Sequence, residues 1–465
     1  MIRKKLKTKV LPIALVSVLA VTGITTFTLS TKADSSSSNQ SKEDKKDNVQ
    51  NIIFLIGDGV GTSYTSAYRY LQDDVSTKKV EEISFDSYLV GQQSTYPDDP
   101  AENVTDSASA ATAMAAGIKT YNNAIAVDND ESNVTTVLEA AKKKGKATGL
   151  VATSEITHAT PASFGAHDLA RKNMTAIADD YYDELIDGEH KVDVLLGGGT
   201  ELFDRTDRNL TKEFQKDGYS YVTDRDELLS DDGEQVLGLF APAGLPKMID
   251  RDENIPSLEE MTTSAIDRLS EDKDGFFLMV EGSQVDWSGH DNDIVAAMSE
   301  MEDYDKAFQA AIEFAKKDGN TLVVATADHS TGGFSIGADG VYNWLTEPIK
   351  AAKRTPDFMA QQIVDGASVE ETLREYIDLD LTAEEVDMVK KVEKSNDVTV
   401  IDDSIEKIFD KRSHTGWTTS GHTGEDVPVY AYGPASRKFA GQLDNTDHAK
   451  IIFDLLKAKV TIDDK

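Results

Sequence analysis

Short apolar, β-branched runs recur along this chain, and each meets a cluster of small and polar residues. Residues 51–56 run into Gly57-Asp58-Gly59, and 148–153 lead to a segment holding His158 and Thr160. Residues 192–196 run into Gly197-Gly198-Gly199, 276–280 into Glu281, and 322–326 into Asp328-His329, while 427–432 follow His422. Unbroken apolar runs of this length read as strands buried on both faces. Helical periodicity separates them at 133–144, 294–317 and 450–457. Alternating buried strands and helices predict an α/β fold, with a large, mostly parallel central sheet flanked by helices on both faces. In such sheets ligands bind beyond the carboxyl ends of the strands, which is where the polar clusters fall.

Two regions break this rhythm. Residues 347–412 carry acidic, helix-prone stretches, and Thr382-Ala383-Glu384-Glu385 has the spacing of a capped helix start. They are expected to form a helical insertion over the sheet. At the other end, residues 1–33 combine a basic start, an apolar stretch from Val10 to Gly23, and small residues at Thr31 and Ala33 before Asp34. That is the pattern of a secretory signal peptide cut near Ala33. Threonines and serines dilute the apolar stretch, so stable membrane insertion after cleavage is not expected. Residues 34–49 are polar and aperiodic and read as a disordered tether, leaving 50–460 as one catalytic-sized domain.

The formal charge of −35 argues against nucleic-acid partners and anionic membranes. The leader holds six basic residues and no acid, so its loss makes the remainder more acidic still. An anionic substrate would need a local positive cluster. There is no cysteine, which excludes disulfides and a lipid-modified N-terminal cysteine. An exported chain of this composition fits a location outside the cell or at its wall.

Candidate chemistry lies at the strand ends. Val104-Thr105-Asp106-Ser107-Ala108 places a serine after an acid, at the start of a small-residue helix running to about Ala116. A helix start offers free N–H groups and the positive end of the dipole, which suits a nucleophile that accepts a phosphoryl group; it is equally the position of an ordinary cap. Asp286 and His290 are spaced to share one helical face. Asp328 and His329 are adjacent, Asp58 lies between glycines, and His422 sits in a small-residue loop. Carboxylates with imidazoles suit zinc, whereas Asp58, Thr160 and Glu281 are oxygen donors suited to magnesium. Each residue alone also reads as a turn, cap or core group. Of eight histidines, however, three fall in these clusters.

Together these motifs resemble the bacterial, secreted alkaline phosphatases. The resemblance covers roughly 51–456 and rests on Ile56-Gly57-Asp58-Gly59-Val60-Gly61, Thr105-Asp106-Ser107-Ala108, His158-Ala159-Thr160-Pro161, Glu281-Gly282 with Asp286 and His290, Thr326-Ala327-Asp328-His329, and Gly421-His422-Thr423-Gly424. It implies a phosphomonoesterase of broad specificity, suited to phosphate scavenging, that works through a phosphoserine at Ser107. It also implies two zinc ions, one on Asp286, His290 and His422 and one on Asp58, Asp328 and His329, with a magnesium on Asp58, Thr160 and Glu281. Arg171 matches the family's phosphate-clamping arginine, and a planar guanidinium grips two phosphate oxygens at once. His414, in a second His-Thr-Gly, competes with His422, which has the better-matching surroundings. Ser109 is assigned to helix packing. Many members pair as homodimers, but the acidic stretch at 347–412 makes that interface hard to transfer.

Two variable positions set this chain apart. It carries His158 and Trp287 where some relatives have Asp and Lys. A Trp offers only an indole N–H toward phosphate, which implies weaker product retention. His158 is a candidate for a place near magnesium, as a ligand, through water, or as a neighbour. A sulfatase of the wider superfamily would need Cys or Ser followed by x-Pro-x-Arg, which this sequence lacks. A diesterase usually carries Thr as nucleophile.

Overall fold

The computed structural model describes residues 48–462. The expected leader and nearly all of the expected tether lie outside them. Ten strands form the main sheet: β1 Asn51–Gly57, β2 Leu89–Ser94, β3 Ala147–Glu155, β4 Val194–Gly198, β5 Ser220–Val222, β6 Val236–Leu239, β7 Phe276–Gly282, β8 Thr321–Ala327, β9 Val427–Tyr432 and β10 Gly441–Asp444. Their order is β10-β2-β9-β8-β1-β7-β3-β4-β6-β5. β1 lies centrally and pairs in parallel with both β8 and β7. Only β9 runs against its neighbours. The α/β fold with a mostly parallel sheet therefore stands.

The alternation of side chains along β1 explains the layering. Ile53 and Leu55 enter one apolar cluster, and Ile52, Phe54 and Ile56 enter another on the opposite face. Every residue of β1 is buried. Helices Leu258–Leu269 and Ile294–Asp318 contribute to the first cluster, as do those between 347 and 413. Helices Ser107–Ala116, Ala159–Gly165 and Thr446–Leu455 contribute to the second. Each large apolar side chain taken fully from water adds about 1.5–3 kcal/mol, so both faces anchor the sheet.

Residues 347–413 form five helices, Glu347–Lys350, Pro356–Val364, Val369–Tyr376, Ala383–Glu393 and Val398–Ser413. Thr382 and Glu385 make a reciprocal capping box at the fourth. Met359, Ile401, Ile405 and Phe409 bury their side chains in the first cluster. Among the described residues, no helix is long and apolar enough to cross a membrane.

Candidate nucleophile and metal centre

Parallel strands deliver the polar clusters to one edge. Asp58 follows β1, Glu281 lies near the end of β7, and Asp328 and His329 follow β8. β1 and β8 are in register through Gly57 and Ala327, and β1 and β7 through Gly57 and Gly282, so the three chain ends emerge side by side. β9 is antiparallel, and its beginning lies at that same edge; His422 therefore arrives from the residues before it. Gly59 makes the crowding sterically feasible. Its φ is +73°, and a Cβ there would stand 2.8 Å from the Asp286 Cα.

Ser107 is the first residue of the helix Ser107–Ala116. Asp106 caps it, accepting from the Ser109 N–H at 3.0 Å, and Gly117 ends it in the left-handed region at φ +74°. The Ser107 hydroxyl lies 3.3 Å from His329 Nε2. Ser109 turns away: its hydroxyl donates to Asn122 Oδ1 at 2.8 Å and lies 2.7 Å from Thr105 Oγ1. It belongs to the capping network rather than to apolar helix packing.

The sequence-selected ligands come together in three groups. Asp286, His290 and His422 form one, Asp58, Asp328 and His329 a second, and Asp58, His158 and Glu281 a third; within each, the donor atoms lie within 4.8 Å of one another. His290 and Asp286 are joined along one helical turn at 3.3 Å. The second group is fully buried, whereas His290 is exposed, so the centre opens on the His290 side. His422 reaches Asp286 at 3.6 Å. His414 does not join it; it ends the helix Val398–Ser413 in the left-handed region.

The donor chemistry fits cations. His290 Nδ1 donates to the Ser420 carbonyl at 2.6 Å, and His422 Nδ1 to the Thr105 carbonyl at 2.8 Å. Those bonds fix both tautomers, leaving the Nε2 atoms facing one another at 3.0 Å. Two such nitrogens converge only around a shared electrophile, a proton or a metal ion. Both Asp58 oxygens, Asp328 Oδ2, Glu281 Oε1 and Thr160 Oγ1 are buried without a hydrogen-bond partner. Buried carboxylates in this state need protons or cations. Burial pushes the Glu281 carboxyl up to about 7 and, reinforced by Asp328, Asp286 and Glu281, pushes Asp58 well above its usual range. Asp286 moves the other way: burial would raise it, but the bond from His290 and the nearby His329 and His422 hold it low.

The third group needs one distinction. Arg171 donates to His158 Nε2 at 3.2 Å. A guanidinium only donates, so this nitrogen accepts and the neutral ring carries its proton on Nδ1. Burial and then the Arg171 charge hold the His158 pKa down to about 3. The Nδ1 atom is buried without a hydrogen-bond partner, and the ring stands beside Asp58 and Glu281. Trp287 and His158 meet edge to face, ring centroids 5.7 Å apart, and Lys247 Nζ lies 5.9 Å from the indole centroid.

Several supporting groups escaped the sequence reading. Thr331 donates its hydroxyl to Asp286 Oδ1. Ser283 and Ser154 donate theirs to Glu281 Oε2, at 2.7 and 3.2 Å. No local spacing announces Thr331 or Ser154, and the Thr105 and Ser420 carbonyls are backbone. Asp106 alone was visible, as a cap, and its second role in holding Arg171 at 3.1 Å needed the fold.

A serine at a helix start, beside paired carboxylate–imidazole clusters that could hold metal ions at the edge of a parallel sheet, is the arrangement of a metal-assisted phosphoryl-transfer class. The alkaline phosphatase family model matches residues 49–458. The chain is 70% identical over 418 residues to alkaline phosphatase 3 of Bacillus subtilis, covering 89% of this chain and 90% of that protein. It is 54% identical over 455 residues to alkaline phosphatase 4 of the same organism, covering 98% of each. Among solved structures, a cold-active alkaline phosphatase from the psychrophile Shewanella sp. superposes with a TM-score of 0.82 at 41% identity, covering 87% of this chain and 99% of that one. The chain belongs to the alkaline phosphatase family, whose members are phosphomonoester hydrolases.

Proposed function

We propose that this enzyme hydrolyses phosphate monoesters through a phosphoserine on Ser107, with Asp286, His290 and His422 holding one zinc, Asp58, Asp328 and His329 a second, and Asp58, Thr160 and Glu281 a magnesium. The observation that carries this reading is the 3.3 Å approach of the Ser107 hydroxyl to His329 Nε2 inside the buried carboxylate group. When bound, these ions would favour the ionised forms of serine and water and offset phosphate charge.

The chain's own groups do the rest. Ser107 Oγ gives up its proton to solvent and attacks phosphorus, forming the Oγ–P bond as the bond to the leaving oxygen breaks. The leaving oxygen departs toward the open, His290 side and takes up a proton from solvent. Water then adds to phosphorus, the Oγ–P bond breaks, and Ser107 regains its proton. The helix N–H groups stabilise the non-bridging oxygens. Arg171, held by Asp106, orients the phosphate. Recognition limited to the phosphate gives broad specificity and suits phosphate scavenging, and the leader pattern at 1–33 supports export.

Hydrolysis of p-nitrophenyl phosphate compared with bis-p-nitrophenyl phosphate tests this reading. Strong preference for the monoester, with ³²P trapped on Ser107 at acid quench, is the expected result. A preference for the diester, or label on another residue, overturns it.

A further inference from the structure

A second gathering of carboxylates sits where helices meet, outside the three groups above. Asp291 is the last residue of the helix Gln284–Asp291, and Asp402 and Glu406 stand one turn apart on Val398–Ser413. One oxygen of each lies within 4.8 Å of those of the other two. Asp402 is 1% and Glu406 5% exposed, and Asp402 Oδ1 and Glu406 Oε1 are buried without a hydrogen-bond partner. Asp357 and Asp293 add negative charge close by.

The neighbourhood supplies no counter-charge in contact. Among the described residues, no lysine, arginine or histidine nitrogen pairs with Asp291, Asp402 or Glu406. Lys407, on the same helix, pairs with Asp403 at 3.7 Å. Lys247 acts on Asp291 from a distance, its ammonium committed to the Gln284 carbonyl and the Ser288 hydroxyl. A second, partly buried acidic group shows the contrast. Glu139, His167 and Glu184 are completed by Lys191, whose Nζ stands 2.6 Å from Glu184, and by the His167 ring 3.0 Å from Glu139. Buried charges that lack such partners coordinate metal ions or take up protons. Burial and the neighbouring acids push Asp402 up to about 10 and Glu406 up to about 12, so the undisturbed cluster is strongly disposed to gain positive charge.

We propose that Asp291, Asp402 and Glu406 bind a structural calcium ion, separate from the zinc and magnesium sites. The donors are all hard oxygens, with no imidazole or thiolate to favour zinc. Calcium takes carboxylates in flexible geometry at about 2.3–2.6 Å, so opposed oxygens stand up to about 5 Å apart around it. Magnesium demands a nearly regular octahedron at about 2.0–2.1 Å, which side chains from two separate helices match less readily. The ion would join Val398–Ser413 to the helix that carries Asp286 and His290, bracing that helix at the residue after His290.

The test uses the whole enzyme with zinc and magnesium at activity-saturating levels. Equilibrium dialysis against ⁴⁵Ca²⁺ counts bound calcium, and a melting curve reads Tm with and without millimolar calcium chloride. One calcium per chain is expected, with a Tm rise of at least about 3 °C well above the Kd. Both should vanish in D402N/E406Q, which should keep its zinc content. E406Q alone preserves side-chain shape, and it should weaken calcium binding about tenfold or more. Three results each overturn the proposal: no calcium bound by the wild type, undiminished binding in E406Q, or occupancy by magnesium that excludes calcium. A Tm indifferent to calcium would mean that protons neutralise the cluster.

Discussion

Arg171 Nη1 donates to Asp106 Oδ2 across 3.1 Å, so the residue that caps the Ser107 helix also aims the guanidinium. The two functions separate by mutation. Asp106→Asn keeps a capping oxygen but loses the charge that holds Arg171. Asp106→Ala also loses the cap, which costs about 1 kcal/mol of stability. Both variants should raise KM for p-nitrophenyl phosphate about tenfold, equivalent to roughly 1.4 kcal/mol, and only Asp106→Ala should lower Tm measurably. Unchanged KM in both would mean that the contact does not position the arginine.

Ser107→Ala removes the hydroxyl 3.3 Å from His329 Nε2 without touching a carboxylate or imidazole. Its kcat should fall by about 10³-fold or more, and its metal content should match the wild type. Elemental analysis beside the kinetics separates loss of the nucleophile from loss of the site. Substantial residual phosphoenzyme in this variant would point to a different acceptor.

Metal removal should steepen the loss of stability with rising pH. In the metal-free protein burial raises Glu281 from 4.5 to about 7 and Asp293 from 3.8 to about 8. A carboxyl with a raised folded pKa keeps a proton that the unfolded chain has released. Its stabilisation is complete below the unfolded value and is lost as pH rises through the folded one. Asp286 has the opposite sign, but its lowered pKa makes that loss fall below 3.8, outside this window. The Tm of chelator-treated protein should therefore fall between about pH 5 and about pH 8. With the proposed zinc and magnesium restored, the cations would favour the ionised Glu281 carboxylate, so its share of the fall should disappear while that of Asp293, which lies outside those groups, remains. A flat profile without metals would show that other groups dominate.

Trp287→Lys tests the wall opposite His158. The indole meets His158 edge to face, and His158 accepts from Arg171, so a lysine there adds charge near the arginine proposed to bind phosphate. Tighter inhibition by inorganic phosphate is expected, by about tenfold, with slower product release under saturating substrate. An unchanged inhibition constant would leave Trp287 as wall packing only.

Legibility in the sequence followed burial. β1, β3, β7, β8 and β9 are continuous apolar runs because both faces are covered, and such runs stand out in a chain this polar. β2 and β10 did not stand out. They lie at one margin of the sheet and carry polar, partly exposed residues such as Gln92 and Gln442, whose side chains bond to one another at 2.7 Å. β5 and β6, at the other margin, span only three and four residues. Edge strands need less apolar surface, so the pattern that marks an interior strand fades there.

The chemistry divides in the same way. Local sequence determined that Ser107 starts a helix, because Asp106 caps it and alanines continue it, and that Asp286 and His290 share a face, because one helical turn separates them. It also determined which residue types stand at the strand ends. The motif around His422 favoured it over His414, and the tertiary structure supplied the physical reason that it meets Asp286: the beginning of an antiparallel strand lies beside the ends of parallel ones. Only the tertiary structure set Arg171 against Asp106 and against His158. Those outcomes depend on hydrogen bonds between segments distant along the chain, and such partners leave no mark on local spacing.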